Sequence, residues 1–332
     1  LAEMLRLNGF ATAAFGKSHE TAAWEVSPSG PTDRWPTRSG FDKFYGFIGG
    51  ETNQWAPMLY DGLNLIEPPR RPDYHFMTDM TDQAIAWSKA VKSLMPDKPF
   101  FLYFAPGATH APHHAPQEWI AKYKGKFDDG WDAYRQRVYE RQLAMGVIPP
   151  GTELTPRDPS MASWDSIPED QRPFQERLME LYAGFVEHTD TEVGRLIDGL
   201  AERGLKDDTL VIYIFGDNGS SAEGQEGSIS ELLAQNNIEN TVEQQIAALD
   251  RIGGLDVLGS SRTDNMYHAG WAWAGSTPFK GTKLLASYFG GTRNPMVIAW
   301  PGHIAHDGRM REQFHHVVDI VPTLYDILDI TP

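Results

Sequence analysis

The chain has 332 residues, is 41% hydrophobic and 11% aromatic, and carries 45 acidic against 29 basic side chains, a formal net charge of −16. That length and apolar content suffice for a large buried core and exclude a disordered chain, while the acidic balance, without a long basic run, argues against nucleic acid and anionic membranes as partners. Cysteine is absent, which excludes disulfide and thiol chemistry within these residues, and no apolar run approaches the roughly 18 residues of a membrane span.

The chain opens Leu-Ala-Glu-Met, with Leu1, Met4, Leu5 and Asn8 at helical spacing and no room for an N-cap. It therefore reads as starting inside an element, as a fragment of a longer protein. Residues 1–8 predict the end of an amphipathic helix closed by Gly9. Residues 10–15 predict a short strand that runs out into Gly16-Lys17-Ser18-His19, where a strand delivers side chains to a ligand. A surface lysine and a loop histidine are the alternative. Residues 24–75, rich in Pro, Gly and Trp, read as a packed irregular loop over the sheet. Trp24, Trp35, Trp55 and Tyr60 either line a pocket there or pack in the core.

A helix is predicted over residues 81–95, with Ala84, Trp87, Val91 and Leu94 as its buried stripe. The apolar run at residues 100–105 is the next buried strand, leading to His110. His110 suits acid/base or anion-binding work, whereas His113 and His114 read as solvated loop residues. Residues 112–172 form an excursion or lid with a helix near residues 131–143. Pro173 opens a long helix in which Gly184 and Gly194 permit a kink, and His188 and Asp190 are assigned structural roles.

Residues 210–215, LVIYIF, read as a strand buried on both faces of a parallel sheet. It ends at Gly216-Asp217-Asn218. A carboxylate and an amide at a strand's carboxyl end offer hard oxygen donors suited to Ca²⁺ or Mg²⁺. A plain Asp-Asn-Gly turn is the alternative. Residues 220–275 read as an insertion beside the site, with short helices at 229–236 and 242–251 and no chemistry of their own. A strand at residues 296–300 and a last helix from about Asp319 complete the chain. Alternating helices and strands predict an α/β fold around a mainly parallel central sheet, with the strand ends at Lys17 and His19, His110, and Asp217 and Asn218 converging on one edge.

At this point the motifs resemble a family. GKSHE is similar to the Gly-Lys-Trp-His segment of type I sulfatases, of the alkaline phosphatase superfamily. FLYFAPGATHAP resembles their strand ending in a catalytic histidine, and IFGDNGSSAEG their Asp-Asn calcium ligands. TPFKGTKLLASYFGGTRNPMVIAWPGHI resembles the block with their second active-site lysine, and HHVVDIVPTLYDIL the helix that follows. Five motifs in the right order span nearly all of residues 1–332. Ser18 stands where the family commonly has Trp, and Tyr288-Phe289 where Glu is usual.

The resemblance implies hydrolysis of a small-molecule sulfate ester of the aryl sulfate type. Asp217 and Asn218 would bind Ca²⁺, with Mg²⁺ as the second choice. Lys17 and a second lysine, Lys283 rather than Lys280, would hold the sulfate oxygens. His19 would orient or activate the nucleophile, and His110 would serve the leaving oxygen. The nucleophile would be a formylglycine outside this chain, matured by a formylglycine-generating enzyme, so the 332 residues alone would be inactive. Alternatives are a sibling phosphodiesterase or phosphonate hydrolase, a catalytically dead homologue, and a sugar-binding module.

Overall fold

The computed structural model describes residues 1–216, 218–305 and 307–331. Asp217 of the expected metal pair lies outside the described residues. In chain order the elements are α1 (Ala2–Leu7), β1 (Ala11–Ser18), β2 (Lys43–Ile48), β3 (Leu59–Asp61), β4 (Asn64–Ile66), α2 (Phe76–Leu94), β5 (Phe100–Ala105), α3 (Gln117–Ala121), α4 (Gly130–Ala144), α5 (Arg172–Ala201), β6 (Val211–Ile214), α6 (Glu231–Gln235), α7 (Val242–Ile252), α8 (Ala269–Gly275), α9 (Phe289–Thr292), β7 (Met296–Ala299) and α10 (Ile320–Ile327).

Five strands form one sheet in the order β4-β3-β2-β1-β5. β1 is parallel to both β2 and β5, and an antiparallel meander, β2-β3-β4, closes one edge. The period-two alternation of strand side chains divides the core. Ala13 and Phe15 of β1 and Tyr45 and Phe47 of β2 point to one face, where Met77, Met80 and Ala84 of α2 and Leu196 of α5 cover them. Ala14, Phe44 and Ile48 point to the other, against Trp35 and Tyr60, whose rings meet edge to face at 4.8 Å. Trp24 is three-quarters exposed and Trp55 half-buried. The stretch expected to be irregular, residues 24–75, thus supplies β2, β3 and β4.

Two glycines let the sheet close just before Lys17. Gly16 pairs with Gly46 on one side and Ala105 on the other. A Cβ on Gly16, at φ +108°, would overlap the Ala105 carbonyl oxygen, and one on Gly46 would overlap the Gly16 carbonyl oxygen. Only a residue without Cβ fits either place.

The second core is aromatic. Residues 112–172 and 220–275 both fold onto α5, and Trp131, Trp164 and Trp271 interlock there with Phe127, Phe174 and Tyr267. The Trp131 indole also stacks on the His268 imidazole at 4.3 Å. α5 runs unbroken for 30 residues, without interruption at Gly184 or Gly194. Gly184 is where α3 crosses it: a Cβ would lie 2.8 Å from the Ile120 amide nitrogen.

β6 departs from expectation. Among the described residues it pairs only with β7, antiparallel, and it is half-exposed, with Ile214 at 41% and Phe215, just past its end, at 39%. An apolar run records a preference for burial; here no further strand among the described residues lies beside this pair.

His113 and His114 are not solvated. Both are buried, His113 between the rings of Tyr182 and Tyr267, each 4.9 Å away, and His114 with its Nε2 2.6 Å from the Thr263 carbonyl oxygen. His188 sits on α5 against Thr78 and Glu192, a structural position as expected. Burial pushes the imidazoles of His188 and His268 down to about 4 and that of His113 to about 3, and lowers His75 and His114 as well. An unfolded histidine titrates near 6.5, so below that pH the unfolded chain binds protons that these sites refuse. Their contribution is present above about pH 6.5 and is lost as pH falls toward about 4. Urea midpoints should therefore already drop between about pH 6.5 and about pH 5, above most carboxylate titration. A flat midpoint over that window would contradict the buried, neutral imidazoles.

Candidate active site

Lys17, at the carboxyl end of β1, and His110, in the loop after β5, come from parallel neighbours, so their strands deliver them to the same edge. His110 Nδ1 lies 2.9 Å from the Ala111 carbonyl oxygen, which places the proton on Nδ1 and leaves Nε2 as an acceptor. Lys283 Nζ approaches that Nε2 at 3.3 Å. Burial lowers the His110 pKa, and the charges of Lys17 and Lys283 lower it further, against the Ala111 hydrogen bond and the Glu231 charge. His110 is therefore neutral near pH 7.

Lys283 is held from both ends. Its backbone N–H donates to the Ser220 carbonyl at 2.9 Å, and its Nζ donates to Glu223 Oε2 at 2.7 Å. Burial pushes the Glu223 carboxyl up, but the Lys283 and Ser221 hydrogen bonds and nearby positive charge outweigh it and leave it below its usual range. Lys280 turns elsewhere, with Nζ 4.9 Å over the Tyr288 ring.

Glu51 closes the other side of His110, with Oε2 3.8 Å from Nδ1. Burial pushes its carboxyl up to about 7, helped by the charge and hydrogen bond of Glu231 and the charge of Asp264, while Lys17 opposes the shift. His19, exposed, lies at the same turn: a Cβ on Gly50 would sit 3.0 Å from its Cε1.

Asn218, also exposed, precedes Gly219, whose φ of +82° and overlap of any Cβ with the Gly290 carbonyl fix the loop against the start of α9. The same loop continues to Ser220, the partner of Lys283. The structure thus gathers Lys17, His110 and Lys283, sets His19 beside Glu51, and puts Asn218 on the loop that anchors Lys283. Among the described residues no group of three or more His, Asp or Glu side chains is arranged to hold a metal ion. Asn218 alone supplies one amide oxygen, far short of the six to eight oxygens of a Ca²⁺ shell. The described residues by themselves do not fit that ion.

Glu51, Glu223 and Glu231 were not singled out in the sequence. Glu51 had a signal, since it lies just past β2 on the side where Lys17 ends β1. Glu223 and Glu231 had none, because they reach the site from an acidic, polar stretch.

Two lysines and a neutral histidine brought together beside the carboxyl end of β1 can hold an oxyanion with a proton acceptor or donor at its side. The chain belongs to the sulfatase family: the family model for Sulfatase matches residues 1–330. It is 29% identical over 343 aligned positions to an uncharacterized sulfatase of Schizosaccharomyces pombe, covering 99% of this chain and 58% of that protein. It is 26% identical over 347 positions to an arylsulfatase of Klebsiella aerogenes, covering 100% of this chain and 68% of that protein. The chain thus spans roughly three-fifths to two-thirds of these relatives. In fold it resembles the crystal structure of Ps i-CgsB in complex with k-i-k-neocarrahexaose, with a TM-score of 0.58 at 18% identity, covering 100% of this chain and 53% of that one. A sulfatase of glycosaminoglycan metabolism in Bacteroides thetaiotaomicron gives 0.51 at 16%, covering 100% and 60%. Sulfatases generally use a metal ion and a formylglycine.

Proposed function

We propose that this chain forms the core of an arylsulfatase-type sulfuric ester hydrolase acting on a small-molecule sulfate monoester. The observation that carries this is the meeting of Lys283 Nζ with His110 Nε2 at 3.3 Å, within the field of Lys17. Three groups from distant parts of the chain serve one anion there.

Lys17 and Lys283 hold the non-bridging sulfate oxygens, and the charge they place there is stronger in effect because the site is half-buried. Lys283 then exchanges its contact with His110 for a sulfate oxygen. The substrate's negative charge offsets the two ammonium groups that depress the His110 pKa, so Nε2 takes up a proton in the complex. From there it passes that proton to the leaving oxygen. His19 would orient the nucleophile, a formylglycine that a formylglycine-generating enzyme would make from a Cys or Ser side chain outside these residues. Asp217 and Asn218 would furnish only part of the ligand shell of a divalent cation, Ca²⁺ before Mg²⁺, and such an ion would supply Lewis-acid charge at the sulfate.

The test is turnover by the full-length protein, co-expressed with a formylglycine-generating enzyme. A chromogenic aryl sulfate is compared with the matching aryl phosphate diester and phosphonate ester. The sulfate should have the highest kcat/KM. Faster turnover of the diester or phosphonate would move the chain to the sibling phosphohydrolases.

A further inference from the structure

The loop that carries His110 has no strand or helix of its own between Ala105 and Gln117. Proton transfer nevertheless needs Nε2 within hydrogen-bond reach of the leaving oxygen, about 2.6–3.2 Å. The His110 backbone N–H donates to the Gly107 carbonyl at 2.9 Å, which shapes the turn but ties it to nothing outside. Tyr182 of α5 supplies outside ties on both sides of His110. Its hydroxyl lies 3.2 Å from the Thr109 hydroxyl, one residue before His110, and either group can donate. Its ring meets the His113 ring at 4.9 Å, three residues after.

Tyr182 is itself held in place. It belongs to the 30-residue α5, next to Leu181 and within a turn of Leu178 and Phe185, all fully buried. The Tyr267 ring closes on it edge to face at 4.6 Å and also meets the His113 ring, at 4.9 Å. Past His110, the His113 backbone N–H donates to the Asn265 carbonyl at 3.0 Å, and Asn265 Nδ2 donates back to the His113 carbonyl at 3.2 Å. That side of the loop has several anchors. Ahead of His110, the Thr109 hydroxyl is the tie to α5.

We propose that Tyr182 is a positioning residue for His110: α5 reaches through its hydroxyl to Thr109 and through its ring to His113, and so fixes the imidazole against the leaving oxygen. This rests on the sulfate-ester reading above. The lysines arrive on other segments, Lys17 on β1 and Lys283 held by Ser220 and Glu223, so they keep the sulfate when the His110 loop relaxes. Loosening the loop should slow proton delivery and leave anion binding as it is. The loss should be largest where the leaving group most needs the proton. Phenolate, a stronger base than 4-nitrophenolate, needs it more.

The test uses the full-length protein co-expressed with a formylglycine-generating enzyme, with phenyl sulfate and 4-nitrophenyl sulfate as substrates and inorganic sulfate as the binding probe. Tyr182→Phe and Thr109→Val remove only the hydroxyl contact, and a melting curve for each confirms folding. Each should lower kcat/KM for phenyl sulfate by about tenfold and for 4-nitrophenyl sulfate by about twofold, the scale of a small misplacement of a catalytic group. The double variant should be no worse than either single one, because both remove the same contact. Thr109→Ser, which keeps the hydroxyl, should stay near wild type. The calorimetric affinity for sulfate should be the same in all of them. Undiminished turnover, equal losses on the two substrates, or effects that multiply in the double variant would make Tyr182 only structural, and the proposal fails while the sulfate reading stands. If wild type turns over neither aryl sulfate, the sulfate reading fails and takes the proposal with it.

Discussion

Replacing Lys283 by Ala should lower kcat/KM for an aryl sulfate by roughly 10²- to 10³-fold, the usual cost of losing one preorganised charge-stabilising donor. Lys280→Ala should change it by only a few-fold. The difference follows from where the two ammonium groups sit. Lys283 Nζ is 3.3 Å from His110 Nε2, and its side chain is 14% exposed. Lys280 Nζ lies over the Tyr288 ring, a contact worth about 0.5–1 kcal/mol at an exposed site. Lys283→Ala does more than remove a cation. It leaves the Glu223 carboxylate without the ammonium that holds it, and that negative charge then faces the incoming sulfate. Adding Glu223→Gln to Lys283→Ala should therefore restore part of the loss, and the two substitutions should be clearly non-additive. Steady-state kinetics on the four variants decide it. Equal and mild effects at Lys280 and Lys283 would show that neither ammonium meets the reacting group.

Strand ends carried most of what could be read from sequence. Lys17 and His110 stood out because each comes soon after a short, largely apolar segment, residues 10–15 and 100–105, and those segments belong to β1 and β5, side by side. β2 escaped notice because Gly46 interrupts its apolar pattern. That glycine is required by the Gly16 carbonyl against it, a contact 30 residues away along the chain. Missing β2 meant missing Glu51 just past its end. Glu223 lies 60 residues from Lys283, and nothing local marks a surface glutamate as the partner of a buried lysine. His113 and His114 misled for the opposite reason. Prolines 112 and 116 and the run of polar rings look like an exposed loop, yet Thr263 and two tyrosines from distant segments bury them. The apolar run of β6 was legible as a strand, but its covering was not, because coverage depends on which other segments lie beside it.

Arg135→Met should cost about 3–5 kcal/mol of stability, because it strips the donors from several buried acceptors at once. Arg135 is 1% exposed on α4. Its guanidinium donates to the carbonyl oxygens of Trp273 at 2.7 Å, Pro278 at 3.1 Å and Phe279 at 3.0 Å, and to the Thr155 hydroxyl at 2.8 Å. It also lies 4.2 Å over the Trp273 ring. Burial pushes its pKa down to about 10, which still leaves it charged at neutral pH. These acceptors are backbone and hydroxyl groups, so the planar five-donor fork serves as a clamp on the chain where α8 ends. Met matches the apolar stem but satisfies none of those carbonyls. Lys keeps the charge with three donors from one point, so Arg135→Lys should recover only part of the loss. Urea unfolding of the three proteins measures it, and a Met variant within about 1 kcal/mol of wild type would show that the carbonyls find other donors. The clamp also bears on the reaction. Phe279, one of its acceptors, is four residues before Lys283 in a segment with no strand or long helix to stiffen it. With Arg135→Lys, which leaves Lys283 itself in place, kcat should fall along with stability, because the ammonium must meet the sulfate within a few tenths of an ångström to keep its effect. A destabilised Lys variant with undiminished kcat would separate the clamp from the site and leave the contacts with Ser220, Glu223 and His110 to position Lys283.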